Sequence, residues 1–553
     1  MSVPFLRLYP RFRASQFLSV LALSLTISGT TPCLVTAQAG TERGAFVLVQ
    51  KGDTVAIERF ARSADSLAVD LAVKMQGRFV YTATLANDFT IPRMILLYYR
   101  PNVSADVAPA QTAIITVKGD SVIAEVSAGG NTVVQRLKGA IGAVLLPPSS
   151  FTAFEELTMR ARSAGGAAEV PIFTTAGGLN LIVSLKLVGS DSMTASFAGR
   201  QYRLRVGEVG HILGGSMALA GLTFARVDAA TAAKIALGKP DYSAPPDAPY
   251  SSEEVAVRGP KGIRLGGTLT KPKNVIGPLP AVVTITGSGQ QDRDEYIPVA
   301  GGYRPFWQIA DTLGRRGIAV LRLDDRGVGS SGGEPATSTS ADFADDIRAG
   351  IAYLRTRGDI DGSRIGLIGH SEGGIVAPMV AATDPKLKAI VLLAGPADKG
   401  LDIIRYQQRF ALDHDTLLTP TKRDSAYKAE LIQLDSIAGK NAWIKFFLSY
   451  DPISTARKVK APVLVLQGET DRQVSFEQAE KLGAAIRAGG NRDVTVHVFP
   501  GKNHLFIADV DGNPAAYGKL ATNKIGGDVL GMIADWLVVR LNASSKLSPD
   551  HPM

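Results

Sequence analysis

The sequence predicts an α/β fold with a mostly parallel central sheet and a helical cap insertion over residues 253–545, preceded by a smaller β-rich domain over residues 40–237. Three observations predict this. From about residue 253, short apolar runs alternate with helical stretches, the texture of a parallel sheet covered on both faces. Before about residue 235, short β-prone runs recur with Gly, Asp and Asn between them, the texture of antiparallel strands and turns. Between the two regions, residues 238–252 hold Pro240, Pro245, Pro246 and Pro249 and read as a linker.

Composition bounds the problem. With 553 residues, 45% hydrophobic and 20% charged, the chain cannot be disordered or a coiled-coil rod as a whole, and about 100–200 residues per domain implies several domains. A single cysteine excludes a disulfide scaffold and a Cys-based zinc module. Six histidines leave few candidates for an imidazole role. The net charge is +9, but Lys and Arg form no dense run with interleaved aromatics, so nucleic-acid binding is not expected.

In chain order, residues 1–39 read as a secretory signal peptide. Arg7, Arg11 and Arg13 precede an apolar stretch from Phe17 to Ile27, and small residues at 35–37 and 37–39 suit cleavage. The stretch is short for a membrane span, so an uncleaved anchor is the weaker reading, and Thr30-Thr31-Pro32 is a poor lipidation context for Cys33. Beyond it, the sequence predicts no integral span in the mature chain, and a secreted or periplasmic location follows. The β-rich region is expected to hold strands at 45–49, 78–82, 113–117, 183–187 and 201–205, with a helical piece at 151–162.

In the second region the expected strands are 280–286, 318–323, 364–368, 389–393, 462–466 and 494–499. The expected helices are 306–316, 341–356, 372–382, 477–488 and 529–541. Residues 398–458 are helical and aromatic-bearing without an evident strand, and are expected to cap the carboxyl edge of the sheet, where ligands bind in such folds.

The chemistry centres on Gly369-His370-Ser371-Glu372-Gly373, a G-x-S-x-G pattern at a strand-to-helix junction. Glycines at both ends permit a tight turn that pushes Ser371 out at the top of the sheet, and the following helix offers amide donors to a developing oxyanion. A serine hydroxyl needs a base. His504 lies on a loop at the carboxyl edge, after strand 494–499, whereas His211, His370, His414, His497 and His551 are poorly placed. The carboxylate that holds the imidazole is assigned to Asp471, after strand 463–466, with Glu469 as rival and Asp493 at the wrong end of its strand. The backbone amides of Glu372 and Ser288 are the expected oxyanion donors, with Gly289 and Gln290 as alternatives to Ser288. The glycine-rich loop at 287–294 lacks the G-K-[ST] ending of a phosphate loop. Residues 324–332 are expected to form a tight turn held by Asp–Arg hydrogen bonds. No histidine or carboxylate group has metal-ligand spacing, and the chemistry calls for no metal or cofactor.

The segments ITGSGQQDRDE (285–295), LDDRGVGSSGG (323–333), GHSEGG (369–374), VLVLQGETDRQV (463–474) and FPGKNH (499–504) together resemble the α/β-hydrolase superfamily. The resemblance is to its secreted carboxylesterase and dienelactone-hydrolase-like branch, which is similar to the serine aminopeptidase and prolyl-oligopeptidase hydrolases. It implies a serine hydrolase acting on small-molecule esters with Ser371, Asp471 and His504 as triad, and a peptidase or amidase of the same fold as alternative. A non-enzymatic reading has the β-rich region binding a cell-surface or protein partner. The sequence sets no oligomeric state.

Overall fold

The computed structural model describes residues 40–541 apart from 102–106, 129, 177, 198–199, 219, 239, 415–418 and 440. The expected signal peptide, Cys33 and His551 lie outside the described residues.

Residues 42–228 form one sheet of fifteen strands. Its edges are Asn131–Lys138 and the short strand Val144–Leu146, and its middle is the antiparallel pair Glu42–Gln50 with Leu222–Asp228. Neighbours are antiparallel throughout, except that Val144–Leu146 runs parallel to Ala167–Thr174. Period-two burial along strands such as Gly77–Thr84 and Arg200–Val206 gives each a core face and an outer face. The core faces pack on the helix Phe151–Ser163, with Phe151, Phe154 and Leu157 in a single apolar cluster with Phe46, Tyr202 and Phe224. Every strand and the helix expected in this region fall within observed elements.

Buried polar groups hold that helix in place. Glu58 accepts the Ser150 hydroxyl at 2.5 Å and the Phe151 amide at 2.7 Å, so a carboxylate meets the positive end of the helix. Burial, only partly offset by these donors, pushes its pKa up to about 7. Glu155, farther along the helix, accepts the Ile212 amide and Arg226.

The second region contains strands β1 (Tyr250–Arg258), β2 (Arg264–Pro272), β3 (Leu279–Ile285), β4 (Ala319–Leu323), β5 (Ile360–His370), β6 (Ala389–Leu393), β7 (Val463–Gly468) and β8 (Val494–Phe499). Their order in the sheet is β1-β2-β4-β3-β5-β6-β7-β8. β2 is antiparallel to both its neighbours, and all other pairs are parallel. The helices are α1 (Pro305–Gly314), α2 (Ser340–Thr356), α3 (Gly373–Ala381), α4 (Gly400–Asp413), α5 (Pro420–Ala438), α6 (Ala442–Ser449), α7 (Pro452–Ala456), α8 (Glu477–Ala488) and α9 (Gly527–Arg540).

Strands β3, β4, β6 and β7 are buried along their whole length, which explains why they read as continuous apolar runs. Val282, Val320, Ile368, Val391 and Leu464 face α1 and α9, while Val283, Leu321, Leu367 and Val465 face α2, α3 and α8. Each such buried Leu or Ile stabilises the sheet by about 1.5–3 kcal/mol. Parallel strands aim their carboxyl ends one way, so the loops after β3, β4, β5, β7 and β8 gather at one rim.

Helices α4–α7 occupy the 398–458 insertion and reach that rim. The Tyr406 hydroxyl donates to the Asp471 carbonyl at 3.3 Å and Gln407 Nε2 to the Gln473 carbonyl at 3.0 Å. The proline-rich segment is more than a tether. Its Tyr242 hydroxyl donates to Asp292 at 2.9 Å, Arg293 lies 4.2 Å from the centre of the Tyr242 ring, and β1 already begins at Tyr250.

Candidate active site

Strand β5 ends at His370, and the next residue, Ser371, has φ 53°, a left-handed conformation that costs a non-glycine residue about 1–2 kcal/mol. The turn is held by the Ser371 amide donating to the Leu393 carbonyl at 2.8 Å. It closes only because its flanking residues lack side chains: a Cβ on Gly369 would lie 2.1 Å from the Gly373 carbonyl oxygen, and one on Gly373 would lie 2.2 Å from that of Ile285. The sharp elbow therefore follows from G-x-S-x-G at a strand-to-helix junction.

Asp471 follows β7, and His504 lies on the loop after β8. The Asp471 carboxylate is buried and receives four donors. Oδ1 accepts the amides of Gln473 at 2.7 Å and Val474 at 2.9 Å, and Oδ2 accepts Gln467 Nε2 at 2.7 Å and His504 Nδ1 at 2.7 Å. With the Nδ1 proton committed to the carboxylate, the Nε2 lone pair of His504 is left to act as base. The loop that presents His504 is shaped by Asn503, whose Oδ1 accepts the amides of Leu505 and Ile507.

The structure thus brings Asp471 and His504 into direct contact. Ser371 stands on the elbow next to His370, whose ring lies 4.9 Å from that of His504. Among the described residues the Ser371 hydroxyl and His504 Nε2 are not hydrogen-bonded to each other or to another group. Such a contact is commonly long before substrate binds. The rival carboxylates are engaged elsewhere: Glu469 accepts the Gly501 amide, and Asp493 pairs with Arg540. His211 lies near Glu155, His414 stacks on Phe410 and His497 meets the edge of Phe499.

The oxyanion candidates sit on either side of the elbow. The Glu372 amide stands at the N-terminus of α3, and Ser288 is exposed on the loop after β3. Neither amide donates a hydrogen bond among the described residues. A Cβ on Gly287 would lie 3.2 Å from that of Ser371, so this loop runs against Ser371. The Glu372 side chain points away into the protein, where its Oε1 accepts the Ser340 hydroxyl at 2.6 Å and Trp443 Nε1 of α6 at 2.7 Å. Burial, tempered by these two donors, raises its pKa.

Four charged residues at the end of the segment 285–295 have roles that the motif alone does not assign. Each member of Asp292-Arg293-Asp294-Glu295 is buried and has its own partners. Asp292 receives Tyr242, Arg293 pairs with Asp324 and Glu254, Asp294 pairs with Arg322 and Arg304, and Glu295 meets His370. The Asp–Arg turn expected at 324–332 exists, but Asp324 takes Arg293 as its partner, and Arg326 pairs instead with Asp346 on α2. Asp325 braces the oxyanion loop by accepting the Thr286 hydroxyl at 2.7 Å and the Gln291 amide at 2.9 Å. The available signal was four consecutive ionisable residues following a glycine-rich loop.

A family model described as serine aminopeptidase, S33, matches residues 301–511. The chain is 28% identical over 306 residues to the esterase EstD of Thermotoga maritima, covering 54% of this chain and 70% of that protein. It is 25% identical over 305 residues to dipeptidyl aminopeptidase BIII of Pseudoxanthomonas mexicana, covering 53% of this chain and 41% of that one. An esterase of known structure from Pyrococcus furiosus aligns with 55% of this chain and 96% of its own length, at a TM-score of 0.39 and 16% identity. By its sheet order and its serine elbow, the second region has an α/β-hydrolase fold, the fold of the family model that matches residues 301–511.

Proposed function

We propose that this hydrolase cleaves carboxylic esters of small molecules through an acyl-enzyme on Ser371. The observation that carries the reading is His504, held by Asp471 with Nε2 available as base and tied through His370 to the strained elbow that bears Ser371. Ser371 Oγ attacks the acyl carbonyl while His504 Nε2 takes its proton, and the amides of Glu372 and Ser288 receive the oxyanion. Collapse expels the alcohol, protonated by His504. Water then attacks the acyl-enzyme with His504 again as base, releasing the carboxylic acid and restoring Ser371. The esterase among the relatives supports this reading.

The test uses the purified full chain with p-nitrophenyl acetate and with an aminoacyl p-nitroanilide. Ser371→Ala should lower kcat on the ester by about 10⁴-fold or more while the chain stays folded. Retained ester turnover in that variant would overturn the assignment. The anilide arm separates ester from amide preference, which the peptidase relative makes the relevant contrast. We also propose export through residues 1–39, tested by locating the expressed full-length chain in cell fractions.

A further inference from the structure

His370 adjoins Ser371, and Glu295 closes the segment 285–295; the two side chains meet in the protein interior. We propose that His370 and Glu295 form a positioning pair that ties the His504 loop and the oxyanion loop to the nucleophile elbow. The inference rests on the reading of Ser371, Asp471 and His504 as the working triad.

The hydrogen bonds define the pair. His370 Nε2 lies 3.1 Å from the backbone carbonyl of His504, and a carbonyl only accepts, so Nε2 carries a hydrogen. His370 Nδ1 lies 2.7 Å from Glu295 Oε1. That same oxygen accepts the Gly287 amide at 3.0 Å. A neutral imidazole with its hydrogen on Nε2 would turn a lone pair toward a carboxylate oxygen, so a proton must lie between Nδ1 and Oε1. Both side chains are buried, at 4% and 1% exposure, so water cannot substitute for either partner. Burial pulls the pKa of His370 down, but the Glu295 carboxylate outweighs it and leaves the imidazole above its usual value.

Three segments from distant parts of the chain thus meet on one side-chain pair: the end of β5, the amide of Gly287 before Ser288, and the backbone of His504. The pair touches no reacting atom. Its effect is to fix where the His504 loop and the oxyanion loop stand relative to Ser371.

One oxygen serves two donors, and this makes Glu295→Gln informative. With the amide oxygen in that place, Gln accepts from Gly287 but leaves His370 either charged without a counter-charge or without its Nε2 hydrogen. With the amide nitrogen there, Gln serves His370 but opposes the Gly287 N–H. On the ester substrate, Glu295→Gln should lower kcat by about 10- to 100-fold and leave KM within about twofold, because substrate still binds but the reacting groups are misaligned. Proton NMR of the full chain with ¹⁵N-labelled histidine gives a second readout. The unmodified protein should show two strongly low-field imidazole N–H signals, of which Asp471→Asn removes one and Glu295→Gln the other. A wild-type kcat in Glu295→Gln, or a loss confined to KM, overturns the proposal. So does an unmodified protein whose only low-field signal disappears in Asp471→Asn, a comparison that holds even if Glu295→Gln fails to fold. Ester turnover retained by Ser371→Ala would instead refute the triad reading, so the two failures are distinguishable.

Discussion

Asp471 owes its fixed geometry to four donors, one of which is a side chain that plays no direct part in the chemistry. Gln467 is buried on β7, and its Nε2 donates both to Asp471 and to the Val474 carbonyl at 2.9 Å. A hydrogen bond to a charged group contributes about 1.5–3 kcal/mol, and each 1.4 kcal/mol is a factor of ten in rate. Gln467→Leu should therefore lower kcat at least tenfold with little change in KM, measured on the chromogenic ester. Unchanged kcat would mean that the two amides and His504 hold the carboxylate unaided. At this scale the sequence was legible wherever function depends on position along a strand. Ser371, Asp471 and His504 each follow a recognisable strand, so their arrival at one rim follows from topology. Gln467, His370 and Glu295 were not legible, because their roles depend on rotamers and loop paths that strand patterns do not encode.

At the scale of elements, apolar runs located six of the eight strands of the second region, with β6, β8 and the helix α8 at their observed bounds, but not the antiparallel pair β1 and β2, whose first strand begins inside the expected linker. The ion pairs of Arg293 and Asp294 were not legible either, since their partners Glu254, Arg304, Arg322 and Asp324 come from separate stretches of the chain. In the β-rich domain, fifteen strands wrap a helix whose N-terminus is closed by Glu58, and this has a consequence for stability. The Glu58 pKa rises from an ordinary 4.5 to about 7 on folding, so the folded chain keeps this proton over a range where the unfolded chain has released it. The associated stabilisation is full below pH 4.5, declines as pH rises through that window and is lost above about pH 7. The difference amounts to roughly 3 kcal/mol. Thermal unfolding of the full chain should thus be later at pH 5 than at pH 8. Glu58→Gln, which cannot titrate, should narrow the gap. An unaltered gap in that variant would assign the pH dependence to other buried acids, such as Asp325, whose pKa burial also raises.

At the scale of the whole molecule, the β-rich domain contacts the segments that flank the site. Lys51, in the turn after the first strand, donates to the Leu520 carbonyl at 2.7 Å, and Lys74 lies 5.6 Å from the centre of the Tyr296 ring. The turn at 220–221 meets Gly518 backbone to backbone: a Cβ on Gly518 would lie 2.0 Å from the Ala220 carbonyl oxygen, and one on Gly221 would lie 2.6 Å from that of Gly518. Gln50 braces the turn by donating to the Ala220 carbonyl at 2.7 Å. Gly518 adjoins the buried Tyr517 on the loop that leads away from His504, and Tyr303 from the neighbouring loop donates to the Leu505 carbonyl at 2.5 Å. The β-rich domain therefore meets the stretch of chain that follows His504 at Gly518. None of this could be read from composition, because the contacts are made by backbone carbonyls, two glycines and two lysines. Gly518→Val should force the 220–221 turn away, lowering kcat by about tenfold through a displaced His504 loop. It should also split a shared thermal transition into two in calorimetry, as the domains lose their common interface. Wild-type kcat together with an unchanged calorimetric trace would show that the β-rich domain rests on this loop without holding it.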